Sequence, residues 1–500
     1  MSADPEGPAY LGLDVGTKGT KGIVLDAESG AVVARASSEY GMLDGLPPGA
    51  AEQHPDMWIG AVASVCKELL ESRGVNAGRV AGIGVSGQQH GLVVLDKHDE
   101  VVRPAKLWCD SSTAAEAEEL SASFGHAVPT GYTASKILWY VRNEPENWAE
   151  TCRVLLPHDY VNLRLTGRAT MEAGDASGMG FFDPVKRAFN VKHAASIDKR
   201  LPKMLPKVLA PGEPAGRLSG EGSAITRLPE GLPVAAGGGD NMMSALGSGA
   251  TRPGVVVASL GSSGTVFSYS NKPVVDPEGL IAPFCDSTGG WLPLLCVMNL
   301  TGVTDEVAAL CAEASGNDAY SLDALTSAAK SVPAGCGGLM WLPYLQGERV
   351  PNLPLATGTM IGMRTGSMRP GLLFRAALEG TSLNLAWGVK RLSALGIKVE
   401  SLRLVGGGAK NTLWRRILAD VLQVPVTTLV ETESAALGAA ISAAWTVRRL
   451  AGEDVSADEV AAPSIALSND TAKPDPARGA VYQKLLARFQ AEVGRLHGGD

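Results

Sequence analysis

The chain has 500 residues, of which 45% are hydrophobic and 19% charged, and its formal net charge is -8. Such a length exceeds what one hydrophobic core organises, so two large domains with a cleft between them are expected. The acidic balance argues against nonspecific binding to nucleic acid or to an acidic membrane surface and favours a small-molecule partner.

The opening MSADPEGPAY has no basic stretch followed by an apolar core, and no apolar run approaches the roughly 18 residues needed to cross a bilayer. A cytoplasmic protein without a membrane partner is expected, with residues 1–9 as a tail. Cys66, Cys109, Cys152, Cys285, Cys296, Cys311 and Cys336 are odd in number and never spaced C-x-x-C, which predicts reduced thiols rather than disulfides or a zinc site.

From Tyr10, the run YLGLDVGTKGTKGIVLD reads as two strands joined by a glycine-rich hairpin, and a turn at Glu28 to Gly30 leads to a third strand. Asp14 closes the first strand just before Gly16, Thr17, Gly19 and Lys21. This sets a carboxylate, able to organise Mg²⁺ through water, beside amides that can approach phosphate closely. A hairpin turn with a solvated Asp is the simpler reading, and no G-x-x-x-x-G-K-[ST] loop is present.

Next, VAGIGVSGQQHGLVVLD gives a buried strand, a polar turn and a second apolar strand. Gln88, Gln89 and His90 in that turn are hydrogen-bonding groups suited to a polyhydroxylated ligand, although a turn His alone reads as merely exposed. Gly82, Gly84 and Gly87 have G-x-G-x-x-G spacing, but a strand follows instead of the helix that dinucleotide binding requires. Further on, VAAGGGDNMMSALGSGA sets Asp240 and Asn241 directly after a glycine triplet. Asp240 is placed either to take a proton from a hydroxyl or to cap a helix beginning near Met242.

The pattern breaks at SGATRPG, residues 248–254, and GVVVASLGSSGTVFSYS, from Gly254 to Ser270, repeats strand, Gly/Ser turn, strand. Duplicated units of this kind would let two glycine turns face one phosphate chain from opposite sides. Helical spacing follows over Leu372 to Leu395. LVGGGAKNTLWRRILAD, from Leu404 to Asp420, reads as a strand, a triple-glycine turn and a helix whose first amides could meet a nucleotide; the helical spacing runs from Leu413 to Leu422. Asn469 to Arg478 reads as a surface loop before a final amphipathic helix, Val481 to Leu496. Together these alternations predict an α/β protein.

In their joint order, LGLDVGTKGTK, SGQQHG, LLPHDYVNLRLTG, GGGDN, LGSSG, WLPYLQGER and GGGAKN resemble the FGGY carbohydrate kinases over about residues 10 to 450. The resemblance implies two actin-like (ribonuclease H-like) domains with a ligand cleft between them. Residues 10–250 would form a domain for sugar and catalytic base, 251–450 a nucleotide domain, and 451–500 an extension with a final helix. It implies ATP-dependent phosphorylation of a terminal hydroxyl of a ketose, D-xylulose foremost, with D-ribulose, L-xylulose, erythrulose or a related polyol as alternative substrates and a non-catalytic sugar- and ATP-binding actin-like module as the alternative reading; Mg²⁺ is the expected cofactor and a homodimer the expected assembly.

By the same likeness Asp240 would be the general base and Asp14 would help place Mg²⁺ through water. Gly16, Thr17, Gly261 and Ser262 would cradle phosphates, while Gly407, Gly408 and Asn411 would contact the adenosine end. Gln89, His90, Asp240 and Asn241 would contact the sugar. The Gln89–His90 pair differs from the Arg-Glu of glycerol-type members, which favours a ketose. Lys18, Tyr140 and Leu372 depart from the residues usual at their places in the family's segments.

Overall fold

A computed structural model describes residues 7–72, 75–315 and 320–498. Residues 1–6 of the expected tail and the last two residues of the expected C-terminal extension lie outside the described residues.

The first sheet contains β1 (Ala9–Val15), β2 (Gly19–Asp26), β3 (Val32–Glu39), β4 (Val80–Gly87), β5 (Pro214–Arg217) and β6 (Pro233–Ala235), in the spatial order β5-β6-β4-β1-β2-β3. β1, β2 and β3 form an antiparallel meander, and β4 runs parallel to β1. The second sheet contains β7 (Gly254–Leu260), β8 (Gly264–Ser268), β9 (Ala282–Cys285), β10 (Trp291–Val297), β11 (Val399–Val405) and β12 (Val426–Thr428), ordered β9-β10-β8-β7-β11-β12. It too has an antiparallel meander, through β7, β8 and β10, with β11 parallel to β7. The strand–turn–strand repeat visible in the sequence is thus one half of a repeated sheet plan.

Helices on both faces explain why the central strands read as nearly continuous apolar runs. Side-chain alternation in β1 divides its residues between two cores. Leu11, Leu13 and Val15 pack with Trp58, Val62, Val65 and Leu69 of α1 (Pro55–Glu71), whereas Tyr10 joins the core on the opposite face. That second core is shared: it contains Ile23 and Leu25 of the first sheet, Val255, Val257 and Phe267 of the second, and residues of two helices lying between them. Those helices are here designated α5 (Asp240–Gly247) and α9 (Ser434–Leu450). On the far side of the second sheet, Val256, Ala258 and Leu260 pack with Phe374, Leu378, Trp414 and Leu418, which belong to α7 (Pro370–Ala394) and α8 (Thr412–Leu422).

Close approach in this middle layer requires residues without side chains. A Cβ at Gly438 would lie 1.8 Å from the Met243 carbonyl oxygen, and one at Gly247 would lie 1.9 Å from that of Ser434, so α5 and α9 cross backbone to backbone. Although α9 follows the second sheet in sequence, it also lies directly over β1 and β4: a Cβ at Gly12 would meet the Ala436 oxygen at 2.0 Å.

The remaining helices used below are α2 (Thr133–Asn143), α3 (Pro157–Thr166), α4 (Ala173–Ala176), α6 (Thr301–Ser315) and α10 (Pro476–His497). The expected loop through Arg478 is shorter than anticipated, because α10 starts at Pro476. Asp475 caps it by accepting from the amides of Ala477 and Arg478, and Pro476 occupies a first-turn position where no amide donor is needed. Tyr140, one of the family departures, is fully buried edge-on to Trp148, with ring centroids 5.5 Å apart. All seven cysteines are free. Among the described residues no helix is long and apolar enough to cross a membrane.

Candidate active site

The candidate residues converge because their segments all leave the same edge of a sheet. β1 and β4 are parallel and in register, with Asp14 opposite Ser86 and Val15 opposite Gly87; Gly238 and Gly239 then pair with Ser86 and Gly87 in parallel. Gly16–Thr17, Gln88–Gln89–His90 and Asp240–Asn241 therefore follow three neighbouring strand ends, the place where open α/β sheets hold ligands. In the second sheet β7 and β11 are parallel, with Ser259 opposite Val405, so Gly261–Ser262 and Gly407–Gly408 also follow neighbouring ends.

Asp240 is the first residue of α5, while Gly239 holds the cap position and makes no side-chain cap bond. The capping alternative is thereby removed. One carboxylate oxygen of Asp240 accepts from the Asn241 backbone amide at 2.8 Å and from Asn241 Nδ2 at 2.9 Å. Burial pushes the Asp240 pKa up to about 7; the charges of Asp14 and Asp175 add to the rise, and the bonds from Asn241 oppose it. A carboxylate with that pKa is well matched to accepting a proton near neutral pH. Asn241 also ties the two sheets together at this point: Nδ2 donates to Gln89 Oε1 at 2.8 Å, and Oδ1 accepts from Thr265 Oγ1 at 2.8 Å.

Asp14 receives the Ser86 hydroxyl at 2.7 Å. Burial raises its pKa, with Ser86 and Lys21 acting against the rise, and Lys21 is itself paired with Glu433 at 2.7 Å. The adjoining turn is held at several points. Tyr40 Oη donates to the Gly16 carbonyl at 2.7 Å, Gln53 Nε2 to the Thr17 carbonyl at 2.8 Å, and Trp108 Nε1 to Thr17 Oγ1 at 2.9 Å. Lys18, the charged departure in this turn, is exposed.

His90 adopts a positive φ of 64° and lies among aromatic rings, 5.0 Å from Tyr132 and 5.6 Å from Phe284 between centroids. The opposite wall is Gly178, where a Cβ would sit 1.9 Å from His90 Cε1. Burial lowers the His90 pKa to about 4; Asp175 opposes this, while Lys136 and Arg349 reinforce it. The imidazole is therefore neutral, with one donor and one acceptor nitrogen. His90 Nδ1 and Gln89 Nε2 are buried without a partner, so this pocket offers unsatisfied polar atoms beside Asp240. A hydroxylated ligand would satisfy them.

On the second sheet, the Gly261–Ser263 turn packs against the start of α6: the Thr301 amide donates to the Gly261 carbonyl at 2.9 Å, and the Leu300 amide to the Ser262 carbonyl at 2.9 Å. Gly407 is exposed, with open space where a Cβ would stand, and Gly408 is buried against Leu260, Thr301 and Trp414. The Asn411 side chain caps α8 by accepting from the amides of Leu413 and Trp414, and its Nδ2 donates to Thr326 at 2.9 Å. Those two amides are thus already satisfied, leaving the glycine turn as the open element on this edge.

The sequence matches the FGGY family of carbohydrate kinases, N-terminal domain, over residues 9–247 and the C-terminal domain of that family over residues 256–447. The chain belongs to the FGGY carbohydrate kinases. A xylulose kinase of Haemophilus influenzae is 37% identical, covering 98% of this chain and 100% of its own length. A xylulose kinase of Streptomyces rubiginosus is 38% identical over 91% of each chain. Among solved structures, a xyloylose kinase from Brucella ovis superposes with a TM-score of 0.89 at 30% identity, covering 98% of this chain and 100% of that one. The xylulose kinase from Rhodospirillum rubrum gives 0.88 at 31%, with 98% and 99% covered. The FGGY kinase has the two-domain actin-like α/β fold of these relatives and is an ATP-dependent sugar kinase.

Several residues of this FGGY kinase's site were not singled out from sequence. Thr265 reaches Asn241 only because the two sheets meet, and the sequence places them 24 residues apart across a domain junction. Trp108, from a turn, and Gln53, from the short strand Glu52–Gln53, both reach Thr17. Tyr132 stands just before α2, and the loop leading to it is fixed by buried Lys136, which donates to the carbonyls of Thr130, Gly131 and Tyr132. Beneath the pocket, Glu172 accepts from the amides of Gly174 and Asp175, fixing α4, and Asp175 bonds His158 Nδ1 at 2.8 Å. Burial pulls the His158 pKa down, but the charges of Asp159 and Asp175 outweigh it and hold the imidazole above its ordinary value.

Proposed function

We propose that this FGGY kinase transfers the γ-phosphoryl group of ATP to the terminal hydroxyl of D-xylulose, with Asp240 as the base. The observation that carries the catalytic reading is the Asp240 carboxylate itself: set at a strand end, tied to Asn241 through one oxygen, raised to about 7, and adjoining a pocket with unpartnered Gln89 and His90 nitrogens. The substrate name is supported by relatives called xylulose kinases that are 37–38% identical over nearly the full chain.

In the reaction the sugar hydroxyl oxygen forms a bond to the γ-phosphorus while the bond from that phosphorus to the bridging oxygen breaks, leaving ADP. The hydroxyl proton passes to Asp240. A hydroxyl is a weak nucleophile, so alignment and proton acceptance are what the protein must supply. Asn241 holds the base in place and the Gln89 carboxamide with it, while neutral His90 can exchange hydrogen bonds with sugar hydroxyls without adding charge. Gly16 and Thr17 from one sheet, and Gly261 and Ser262 from the other, would hold the phosphates. Gly407 and Gly408 would receive the adenosine end; Asn411 would act there chiefly by shaping the turn, since its side chain is already bonded.

Mg²⁺ retains most of its waters and takes one or two carboxylates plus phosphate oxygens. Asp14 fits that demand: Ser86 engages one of its oxygens, and the carboxylate stands at the base of the Gly16–Thr17 turn. Bound there, the ion would neutralise charge on the β- and γ-phosphates. Coupled ADP release with Mg-ATP over D-xylulose, D-ribulose, L-xylulose, erythrulose and glycerol tests the proposal. Preference for D-xylulose supports it, and preference for another member moves the substrate name while leaving the chemistry intact.

A further inference from the structure

Arg349 is the one cationic side chain of the WLPYLQGER segment, and nothing above gives it a role. Its backbone is rigidly held. Neighbouring Glu348, 2% exposed, accepts from the Met298 amide at 2.7 Å and the Arg349 amide at 2.8 Å, and from Asn299 Nδ2 at 3.2 Å and Asn384 Nδ2 at 3.0 Å. Reciprocal backbone bonds between Glu348 and Leu353, at 2.8 and 2.9 Å, close the loop. A buried carboxylate that ties its loop to the end of β10 and to α7 fixes the point from which the next side chain emerges.

The loop is anchored beside the cleft: Met298 and Asn299, which follow β10, hold Glu348 and the Gly347 carbonyl, the latter at 2.6 Å, and the next two residues, Leu300 and Thr301, hold the Gly261–Ser262 turn. Two residues before Met298, Cys296 on β10 stands directly opposite Thr265 on β8 in the antiparallel pair. Directly opposed residues share a face of the sheet. Thr265 uses that face to donate to Asn241, the residue that anchors Asp240, so Cys296 lies on the Asp240 side of the second sheet, and the loop that carries Arg349 is tied to the residues just beyond it. Charge influence agrees: Arg349 acts on His90 and Tyr132, the walls of the sugar pocket, and Asp240 acts on Cys296.

The guanidinium also lacks a countercharge. Among the described residues no carboxylate oxygen lies within 4.0 Å of it, and the side chain is exposed. Arginine is suited to phosphate, which it can engage through two parallel N–H bonds. A ketose is uncharged, so the anion that enters the acceptor side of the cleft is the phosphoryl group itself, first in transfer and then as the ester of the product. We infer that Arg349 is a further catalytic residue, reaching from the second domain to bind the phosphoryl group as it passes to the sugar oxygen and to hold the product phosphate.

This rests on the sugar-kinase reading, and its test separates the two. Wild type, Arg349→Gln and Arg349→Lys are compared by kcat and KM for D-xylulose, and by calorimetric binding of D-xylulose, D-xylulose 5-phosphate and, as a sugar-free probe, orthophosphate in the presence of Mg-ADP. Arg349→Gln is expected to lower kcat at least about a hundredfold, in the range seen when one donor to transition-state charge is removed. It should also lose affinity for D-xylulose 5-phosphate and orthophosphate while keeping D-xylulose affinity within about twofold, with partial recovery in Arg349→Lys. A variant that binds the ester and orthophosphate as wild type does, or that loses only D-xylulose affinity, overturns the assignment. Unchanged melting temperature guards against a folding artefact. If wild type turns over no sugar, the substrate proposal fails, while the orthophosphate comparison still decides for or against Arg349.

Discussion

Replacing Asp240 with Asn should abolish most turnover while leaving the fold intact. The substitution preserves the oxygen that accepts from the Asn241 backbone amide, and Asp240 supplies no helix cap whose loss would destabilise α5. What disappears is the capacity to take a proton. General-base catalysis contributes about 10²- to 10⁴-fold, equivalent to about 2.7–5.4 kcal/mol of barrier, and kcat should fall by that factor. The pH profile adds an independent check. With a pKa of about 7, the active form is the deprotonated carboxylate, so activity rises with pH through that value. Between pH 6 and 7 the competent fraction grows about fivefold, and between 7 and 8 about twofold more. Coupled ADP release across pH 5.5 to 8.5 should show this limb in wild type, and the residual activity of Asp240→Asn should lack it. Near-normal turnover in the variant, or a wild-type profile flat below pH 7, would refute the base assignment.

Asp14→Asn should raise the Mg²⁺ concentration needed for half-maximal activity. Because Asp14's charge helps raise the Asp240 pKa, it should also move the acid limb to lower pH; a magnesium titration and pH profile both matching wild type would contradict its placement. Gly178→Ala forces the His90 ring to move, since the added Cβ would lie 1.9 Å from Cε1. Displacements of about 1 Å in such sites can cost about 10²-fold, so sugar KM should rise well above wild type, and an unchanged KM would remove His90 from the pocket. Gly438→Ala, with its Cβ 1.8 Å from the Met243 oxygen, should destabilise the protein by about 1–3 kcal/mol through overpacking. Denaturant unfolding would show this, and a variant as stable as wild type would mean that the α5–α9 crossing is not so tight.

Asp14, Gln89, His90 and Asp240 were legible in the sequence because each follows an apolar run closed by glycine or a polar turn, and parallel strands carry such turns to one edge. The capping alternative for Asp240 could be settled only in three dimensions, where Gly239 occupies the cap. The start of α10 carried a usable signal, Asp475 before Pro476, which a reading of proline and charge as loop composition passed over. Contacts made across the domain junction carried no local signal. Thr265 with Asn241, and α9 lying over β1 despite its distance along the chain, arise from the sharing of a middle helical layer by two sheets. Asn411 shows the converse: its family segment was easily read, but the side chain is engaged in helix capping.

The most direct test of the central claim is to incubate the purified protein with Mg-ATP and D-xylulose, follow ADP release, and identify the phosphorylated carbon by phosphorus–carbon NMR coupling, with Asp240→Asn in parallel. The account predicts sugar-dependent ADP release, phosphate on the terminal C5 oxygen, and loss of both in the variant. ATP hydrolysis without a phosphorylated sugar from any ketose tried, or a C5 ester formed equally well by Asp240→Asn, would contradict it.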